Sequence, residues 1–561
     1  MRIILLSLLA ISLILGACST VQEQIGKVAL KFMTKKEANL SNIAVIGTYQ
    51  TNVAGPDVAI TTLGTEDWEE GENLVGVQLV KPEGAVGVIE LDGTVTVDGK
   101  EAKSYGGGAY YARFEENDKS SKTINIVSSN GQETEFSIAP SPTLSIKSVN
   151  GENQDIEINL SEPLELELEY DAQAEGKRVV VSMITNAVGA KGFANFHSTI
   201  INNNIVIPAE AFKHKHITGA GPTGKDVTNW VTGSNHLQVS LVETDRSDNG
   251  GPFPYFKKES KSFDTIPVSV TGQIDGRSWV RVKGESKEAS GNFRYSAQSS
   301  NAWYARPLDT NIKRIGVSSL SVSGTLYKQE VETSERENYL TGYREIITTT
   351  TTFEFPELDD EYWDQFLENI YSDLEEIFFS DFEATIVNVD RITANPIYDE
   401  FYTPEDENTK EYIAKNLRDT KRLIPTKLGE IIADRSTSLI ADNSTSAKLL
   451  RDMNMDAFMD VIINYQVAGG EDDAIVLLPN VSYRVVGQNQ GFDGTTNVWF
   501  SGNIQGPGVP FSETEFSDLN ALNRIGQKEI ITKLIKESLL ELSKEQVKYG
   551  YQKIWGQALS E

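Results

Sequence analysis

The sequence predicts a multidomain chain in which two N-terminal β-sandwich domains of immunoglobulin-like type precede a C-terminal α/β sandwich domain. Three observations lead there. The chain has 561 residues, which at about 100–200 residues per domain is more than one core serves. From Asn42 to about Gly272, short runs rich in Val, Ile and Thr alternate with Gly-containing turns. Beyond about residue 311, apolar residues recur with both the strand and the helix period, so the two element types interleave.

The first element is a signal segment, residues 1–17. Met1 to Cys18 read MRIILLSLLAISLILGAC: Arg2 supplies a positive start, and Ile3 to Leu15 form an apolar run broken only by two Ser. A bilayer-spanning helix takes about 18–20 apolar residues, so the run fits a secretory signal rather than a membrane span. Leu15-Gly16-Ala17-Cys18 resembles the lipobox of bacterial lipoproteins. The resemblance implies that Cys18 carries lipid (palmitate among it) and becomes the first mature residue. It also implies that Ser19 directs the protein to the outer membrane. Cys18 is the sole cysteine, so the mature chain would hold no disulfide and no thiolate zinc cluster. Residues 18–41 are then anchor and stalk, with Val21–Lys36 compatible with a short helix.

Residues 42–141 are predicted as the first sandwich, with about seven strands. Asp92-Gly93, Asp98-Gly99 and Asn130-Gly131 signal type I′ hairpin turns, whose two central residues need positive φ. Ala139-Pro140-Ser141-Pro142 punctuates the chain. Residues 142–272 form the second sandwich, in which Leu164-Glu165-Leu166-Glu167-Leu168-Glu169 alternates strictly, so one face is buried and the other solvated. Residues 273–310, polar and Ser-rich, are predicted as a partly structured connector.

Residues 311–561 are the α/β domain. Strand-like Lys313–Lys328 and Ile346–Phe355 flank the charged turn at residues 333–338, making a 315–355 hairpin. Arms of about ten residues are long enough to cross a membrane, but the outer faces mix Ser and Thr with Leu. A soluble, exposed hairpin is therefore expected. Trp363, Phe366, Leu367, Ile370, Tyr371, Leu374, Ile377 and Phe378 recur at helical spacing. Helices are also expected near 409–417, 426–433 and 444–453, a long strand from Ala457 to Val467, further strands at 475–486 and 497–501, and a terminal helix carrying Ile531, Leu534, Ile535, Leu539 and Leu542. This order, with ATIVNVDRITANPIYDEF, LLRDMNMDAFMDVIINYQV, VSYRVV and TNVWFSG in sequence, resembles the periplasmic α/β domain shared by the curli-secretion lipoprotein and the lipoprotein activators of penicillin-binding proteins. Met453-Asn454-Met455-Asp456-Ala457 and Val498-Trp499-Phe500-Ser501-Gly502 match its two recurring steps. The resemblance implies an envelope lipoprotein that binds other proteins or self-assembles, and transfers no catalytic residue.

Composition narrows the function. Lys plus Arg number 51 against 81 Asp plus Glu, a formal net charge of −30. Nucleic acid needs a basic stripe that releases counterions, so it is excluded as a partner. Gly219-Ala220-Gly221-Pro222-Thr223-Gly224-Lys225-Asp226 imitates a nucleotide loop. No strand leads directly into it, no helix of crossover length follows, and Asp226 stands where a magnesium-binding Ser or Thr belongs; no nucleotide and no cofactor is expected. His214 and His216 could share one strand face and chelate a metal, but Lys213 and Lys215 repel a cation. They are weak candidates, and no metal site is assigned. No G-x-S-x-G, no H-E-x-x-H and no free thiol nucleophile is present, so no catalytic residue and no enzyme activity are expected.

Residues 345–390 hold 14 Asp or Glu and no Lys or Arg. Asp359, Asp360, Glu361, Asp364, Glu368, Glu375 and Glu376 are the candidate partner surface: a negative face that steers a basic partner, against the plainer reading of a solvated helix face. The expected role is lipid-anchored, non-enzymatic protein–protein assembly at the outer membrane, through an envelope protein partner or self-association. The alternative is a ligand-binding lipoprotein whose sandwiches stack Tyr110, Tyr111, Trp230 and Trp303 on sugar rings. The anchor is testable directly: Cys18→Ala is expected to abolish labelling by radioactive palmitate.

Overall fold

The computed structural model describes residues 34–55, 68–81, 88–187, 190–213, 235–245, 251–272, 280–300, 302, 305–309, 312–337, 344–401, 412–424, 444–470, 474–488, 496–516 and 518–558. It is a β-rich, multidomain chain with helices gathered toward the C-terminus. Elements used below are numbered in chain order.

In the first β region, β1 (Ala44–Thr51), β2 (Asn73–Val80) and β3 (Ala109–Phe114) pair antiparallel in that order. A four-stranded sheet built on Gly93–Val97, Lys122–Ser128 and Glu133–Ile138 covers one face. Val45, Tyr49, Val75 and Val77 from the first sheet share a core with Val95, Val97, Ile124 and Ile126 from the second. Alternation explains it: Lys122–Ser128 buries every second side chain, as a strand with one core face must. Of the three expected I′ turns, Asp98-Gly99 has both residues at positive φ (49° and 78°). Asp92-Gly93 differs. Gly93 begins a strand, and a Cβ there would lie 2.1 Å from the Val127 carbonyl oxygen, so the glycine serves close backbone approach. The expected helical stalk also ends otherwise, because Thr34–Glu37 is a strand running parallel to Val88–Leu91.

The second β region contains β4 (Arg178–Ala187), β5 (Asn235–Asp245) and the 17-residue β6 (Tyr255–Thr271). Leu164, Leu166 and Leu168 are buried, as their alternation predicts, and pack with Val179, Val181, Leu237 and Val239. β6 pairs antiparallel with β5 along one edge, from Lys258 to Val268. Along its other edge, Tyr255–Ser262 runs parallel to Ala44–Thr51 of β1. One 11-stranded sheet therefore crosses the position expected to divide two sandwiches. A parallel pair needs a long crossover and leaves no turn signal, so local sequence pattern is silent about it.

The C-terminal sheet runs in the order β7 (Arg281–Glu288), β8 (Gly291–Ser299), β15 (Thr496–Gln505), β14 (Ile475–Gln488), β13 (Ala457–Gly469), β9 (Arg314–Thr325). Two of its strands, β7 and β8, come from the stretch expected to be a connector. The free edge of β9 is shared by Thr385–Val387 and by β12 (Tyr412–Asn416), where a helix was expected. Edge pairing wins there because the C-terminal half of β9 would otherwise carry unpaired backbone groups. Residues 426–433 lie outside the described residues.

Helices α1 (Asp360–Phe382) and α3 (Lys528–Lys548) cover one face of this sheet. Trp363, Phe366, Ile370 and Leu374 of α1 and Ile531, Leu534, Ile535 and Leu539 of α3 meet Val317, Leu320, Met459, Val461 and Val485. On that face Tyr483 lies over Gly502 and Trp499 over Gly487, where an added Cβ would be 2.1 and 2.2 Å from ring atoms; the aromatic fills the space the glycine vacates. The opposite face is covered at one end by α2 (Thr445–Asp452) and the turns at 389–400, around Val387, Ile392, Tyr398, Leu450 and Phe458. The last helix, α4 (Tyr551–Ala558), joins Tyr551, Ile554 and Trp555 to the same core as Phe196 and Phe212 of the second β region.

Glu259 sits midway along the part of β6 that pairs with β1, between Lys257 and Lys261 on one face. Burial alone would raise its pKa, but the charges of Lys261 and Lys257 outweigh burial and hold it at about 2. A carboxylate lowered in the fold stabilises above its unfolded value of about 4.5, and that stability drains as pH falls toward about 2. Glu259→Gln is expected to lower stability at pH 7 by about 2 kcal/mol. It is also expected to flatten the loss between pH 4.5 and 2, as read by urea denaturation across that range.

Candidate functional site

Two surfaces stand apart from the packing just described. The first is a hairpin, β10 (Tyr327–Glu337) and β11 (Arg344–Glu354), paired without a break from Tyr327 with Glu354 to Glu337 with Arg344. The sequence placed its first arm at residues 313–328; the structure assigns Arg314–Thr325 to the main sheet instead and starts the hairpin two residues later. Its root is fixed: Leu326, Phe353 and Phe355 are buried, and Phe355 packs edge-on to Phe511 and Phe516. Beyond the root both faces are open. Val331, Ile346 and Ile347 are 60, 63 and 42% exposed. Eleven residues per arm reach about 35 Å. The hairpin is a sheet of two strands, so both outer edges present unpaired backbone donors and acceptors among the described residues.

The second surface is the sheet face opposite α1 and α3. Register places side chains across six strands in three rows. The first runs Arg281, Gln298, Ser501, Arg484, Asp460, Ser319; the second Lys283, Ser296, Asn503, Ser482, Ile462, Ser321; the third Glu285, Arg294, Gln505, Asn480, Asn464, Ser323. Ile462 is the one apolar side chain among these eighteen. At the covered end, Asp460 is fully buried: Ser318 Oγ donates to it at 2.6 Å and Arg484 Nε at 2.9 Å, while Arg484 also reaches the Leu423 carbonyl at 3.0 Å. The Tyr398 hydroxyl donates to the Ser318 carbonyl at 2.6 Å, and its burial pushes its pKa far up. A buried charge needs such pairing, so this end fastens the chain around Tyr398 and Leu423 to the sheet. At the open end, β7, β8 and β15 frame a cavity of about 320 Å³.

The acidic helix is partly spoken for. Arg418 binds Glu368 through Nε and Nη2 at 2.7 and 2.9 Å and Asp390 through Nη1 at 2.9 Å, and these partners hold its guanidinium pKa far above its ordinary value. Lys415 pairs with Asp360 at 2.6 Å, Lys528 with Asp373 at 2.8 Å and Lys536 with Asp381 at 2.8 Å. Glu375 lies beside the Tyr371 hydroxyl, whose pKa is raised by burial and by that carboxylate. Asp359, Glu361, Asp364 and Glu376 remain exposed and make no ion pair among the described residues. These cations come from distant segments, so the acidic run alone gives no sign of them.

Cys18, His214, His216, the 219–226 loop, Trp230 and Trp303 lie outside the described residues. Among the described residues no group of three His, Cys, Asp or Glu is arranged to hold a metal, and no helix is long and apolar enough to cross a membrane. Tyr110 is buried, with its hydroxyl accepting from the Leu91 amide at 2.9 Å. Tyr111 packs beside Tyr105 against the small cluster around Trp68 and Leu74. Neither forms part of a solvent-facing row.

No family model matches the chain, and no curated protein does. Among solved structures, it aligns with one from a study of host-surface retention of a 1.5-MDa bacterial ice-binding adhesin, at 12% identity over 56% of this chain and 98% of that one, with a TM-score of 0.13. A Ca²⁺-stabilised ice-binding adhesin of an Antarctic bacterium aligns at 11% identity over 55% and 74%, with a TM-score of 0.12. The protein SGBP-B of the Bacteroides ovatus mixed-linkage glucan utilization locus, in complex with a heptasaccharide, aligns at 7% identity over 58% and 88%, with a TM-score of 0.11. Scores this low carry no argument about fold or function.

Proposed function

We propose that this chain is a lipid-anchored cell-envelope protein that acts without catalysis, in protein–protein assembly at the outer membrane. The observation that carries the reading is the projecting hairpin. An isolated two-stranded hairpin is marginal in water, and a long one with two open edges is a template for a further strand. Main-chain pairing supplies affinity in that mode, and the exposed Val331, Ile346 and Ile347 supply contacts that a partner would bury. The lipobox supports the anchor. The order β9, α1, α2, β13, β14, β15, α3 supports the resemblance to the assembly-type lipoprotein domain. The exposed acids at the start of α1 support a partner with a basic surface. The glycan-stacking alternative loses ground with Tyr110 buried and Tyr111 half-buried against the Trp68 cluster.

The test is a photo-crosslinking residue placed at Val331 or Ile346 in intact cells, with Ile201 as an exposed control (48% exposed). Protein adducts from both hairpin positions and none from Ile201 are expected. Adducts to glycan alone, or an identical pattern at all three positions, contradicts the reading.

A further inference from the structure

The open end of the polar sheet face has features that solvation alone does not require. The cavity of about 320 Å³ is lined by Arg281, Lys283, Ser296, Gln298, Ser501 and Asn503, together with the backbone between them. The two charges on it are both positive, in a chain whose net charge is −30. They sit two residues apart on β7, roughly 7 Å along one wall. The nearest acid on that face, Glu285, is engaged by Arg294 at 3.3 Å. Lys283 is exposed and makes no ion pair among the described residues.

The rest of the lining is neutral and mixed in sense. Gln298 Oε1 accepts from Arg281 Nε at 3.1 Å, which leaves the Gln298 amide nitrogen as a donor toward the cavity. Asn503 Nδ2 donates to Asn480 Oδ1 at 2.8 Å and to the Val481 carbonyl at 3.0 Å, which leaves Asn503 Oδ1 as an acceptor. The hydroxyls of Ser296 and Ser501 have no hydrogen bond among the described residues. Both amides are thus oriented by the protein before anything binds, which lowers the ordering cost of binding.

We propose that this cavity binds an acidic sugar unit, a uronate carried on an envelope polysaccharide. The carboxylate lies against Arg281 and Lys283, where charge-assisted hydrogen bonds are strongest. The ring hydroxyls meet Gln298, Asn503, Ser296 and Ser501, which offer donors and acceptors in turn. The many acids elsewhere on the chain do not prevent binding, since exposed charges beyond about 8 Å are screened at physiological ionic strength.

The test is calorimetry on the full chain in detergent, with trigalacturonate, a neutral galactose trisaccharide and hexaglutamate as probes. Trigalacturonate is expected to bind at one site, more weakly as salt rises, and at least tenfold tighter than either other probe. Lys283→Glu is expected to weaken it at least tenfold, and Ser501→Trp, which fills the cavity, to abolish it. Lys283 is exposed, so its variant folds even if the tryptophan variant does not. Val331→Glu in the hairpin is expected to leave sugar binding unchanged, which separates this site from the assembly role. No binding of trigalacturonate at millimolar concentration, equal binding of hexaglutamate or the neutral sugar, or binding indifferent to Lys283→Glu would overturn the proposal.

Discussion

The parallel pairing of β6 with β1 is the constraint on which the arrangement of the N-terminal half depends. β6 has partners on both edges, β1 on one and β5 on the other, and its last residues pair with Glu157–Asn159. A strand shared in this way turns two sequence regions into one sheet. Glu259 between Lys257 and Lys261 puts a charged triplet into that seam, where a shift of register by one residue would turn these side chains to the other face. The strand at 34–37 lies on the same sheet through Val88–Leu91.

The same economy appears at the other end. The C-terminal sheet packs one face against α1 and α3 and leaves the other polar and open at its β7, β8 and β15 end, so packing and recognition occupy opposite sides of those strands. Alternation makes this division possible: Tyr295, Tyr483 and Phe500 go to the core, while their neighbours Ser296, Ser482 and Ser501 go to the open face. Helix α4 ties this sheet to the second β region through Tyr551 and Trp555. The hairpin is then a rigidly rooted projection from a continuous body, with Phe355 gripped among Phe511 and Phe516 at its base.

What the sequence revealed follows the range of the interactions involved. Elements whose pattern is local were legible: the apolar stripe from Trp363 to Phe378, the alternation in Leu164–Tyr170, the long strand from Ala457. Features set by distant partners were not. The β1–β6 pairing has no turn to announce it. β7 and β8 read as polar connector because their outward faces, Arg281 to Lys287 and Asn292 to Gln298, are hydrophilic. Residues 412–416 form a strand because β9 offered an edge. For the candidate sites, the hairpin was visible but misplaced at its first arm, and the acidic helix was visible without its cations. The cavity was invisible, since its lining comes from three strands that only the register brings together.

Residues 42–141 and 142–272 are expected to unfold as one body through the shared strand. Native-state hydrogen exchange in rising urea tests it most directly. The amides of Val45–Tyr49, of Phe256–Ser262 and of Val239–Leu241 are expected to merge into a single opening reaction with one free energy and one urea slope. A separate, lower-energy opening of Val45–Tyr49 and its neighbours in the first region, with Phe256–Ser262 still protected alongside Val239–Leu241, would contradict it.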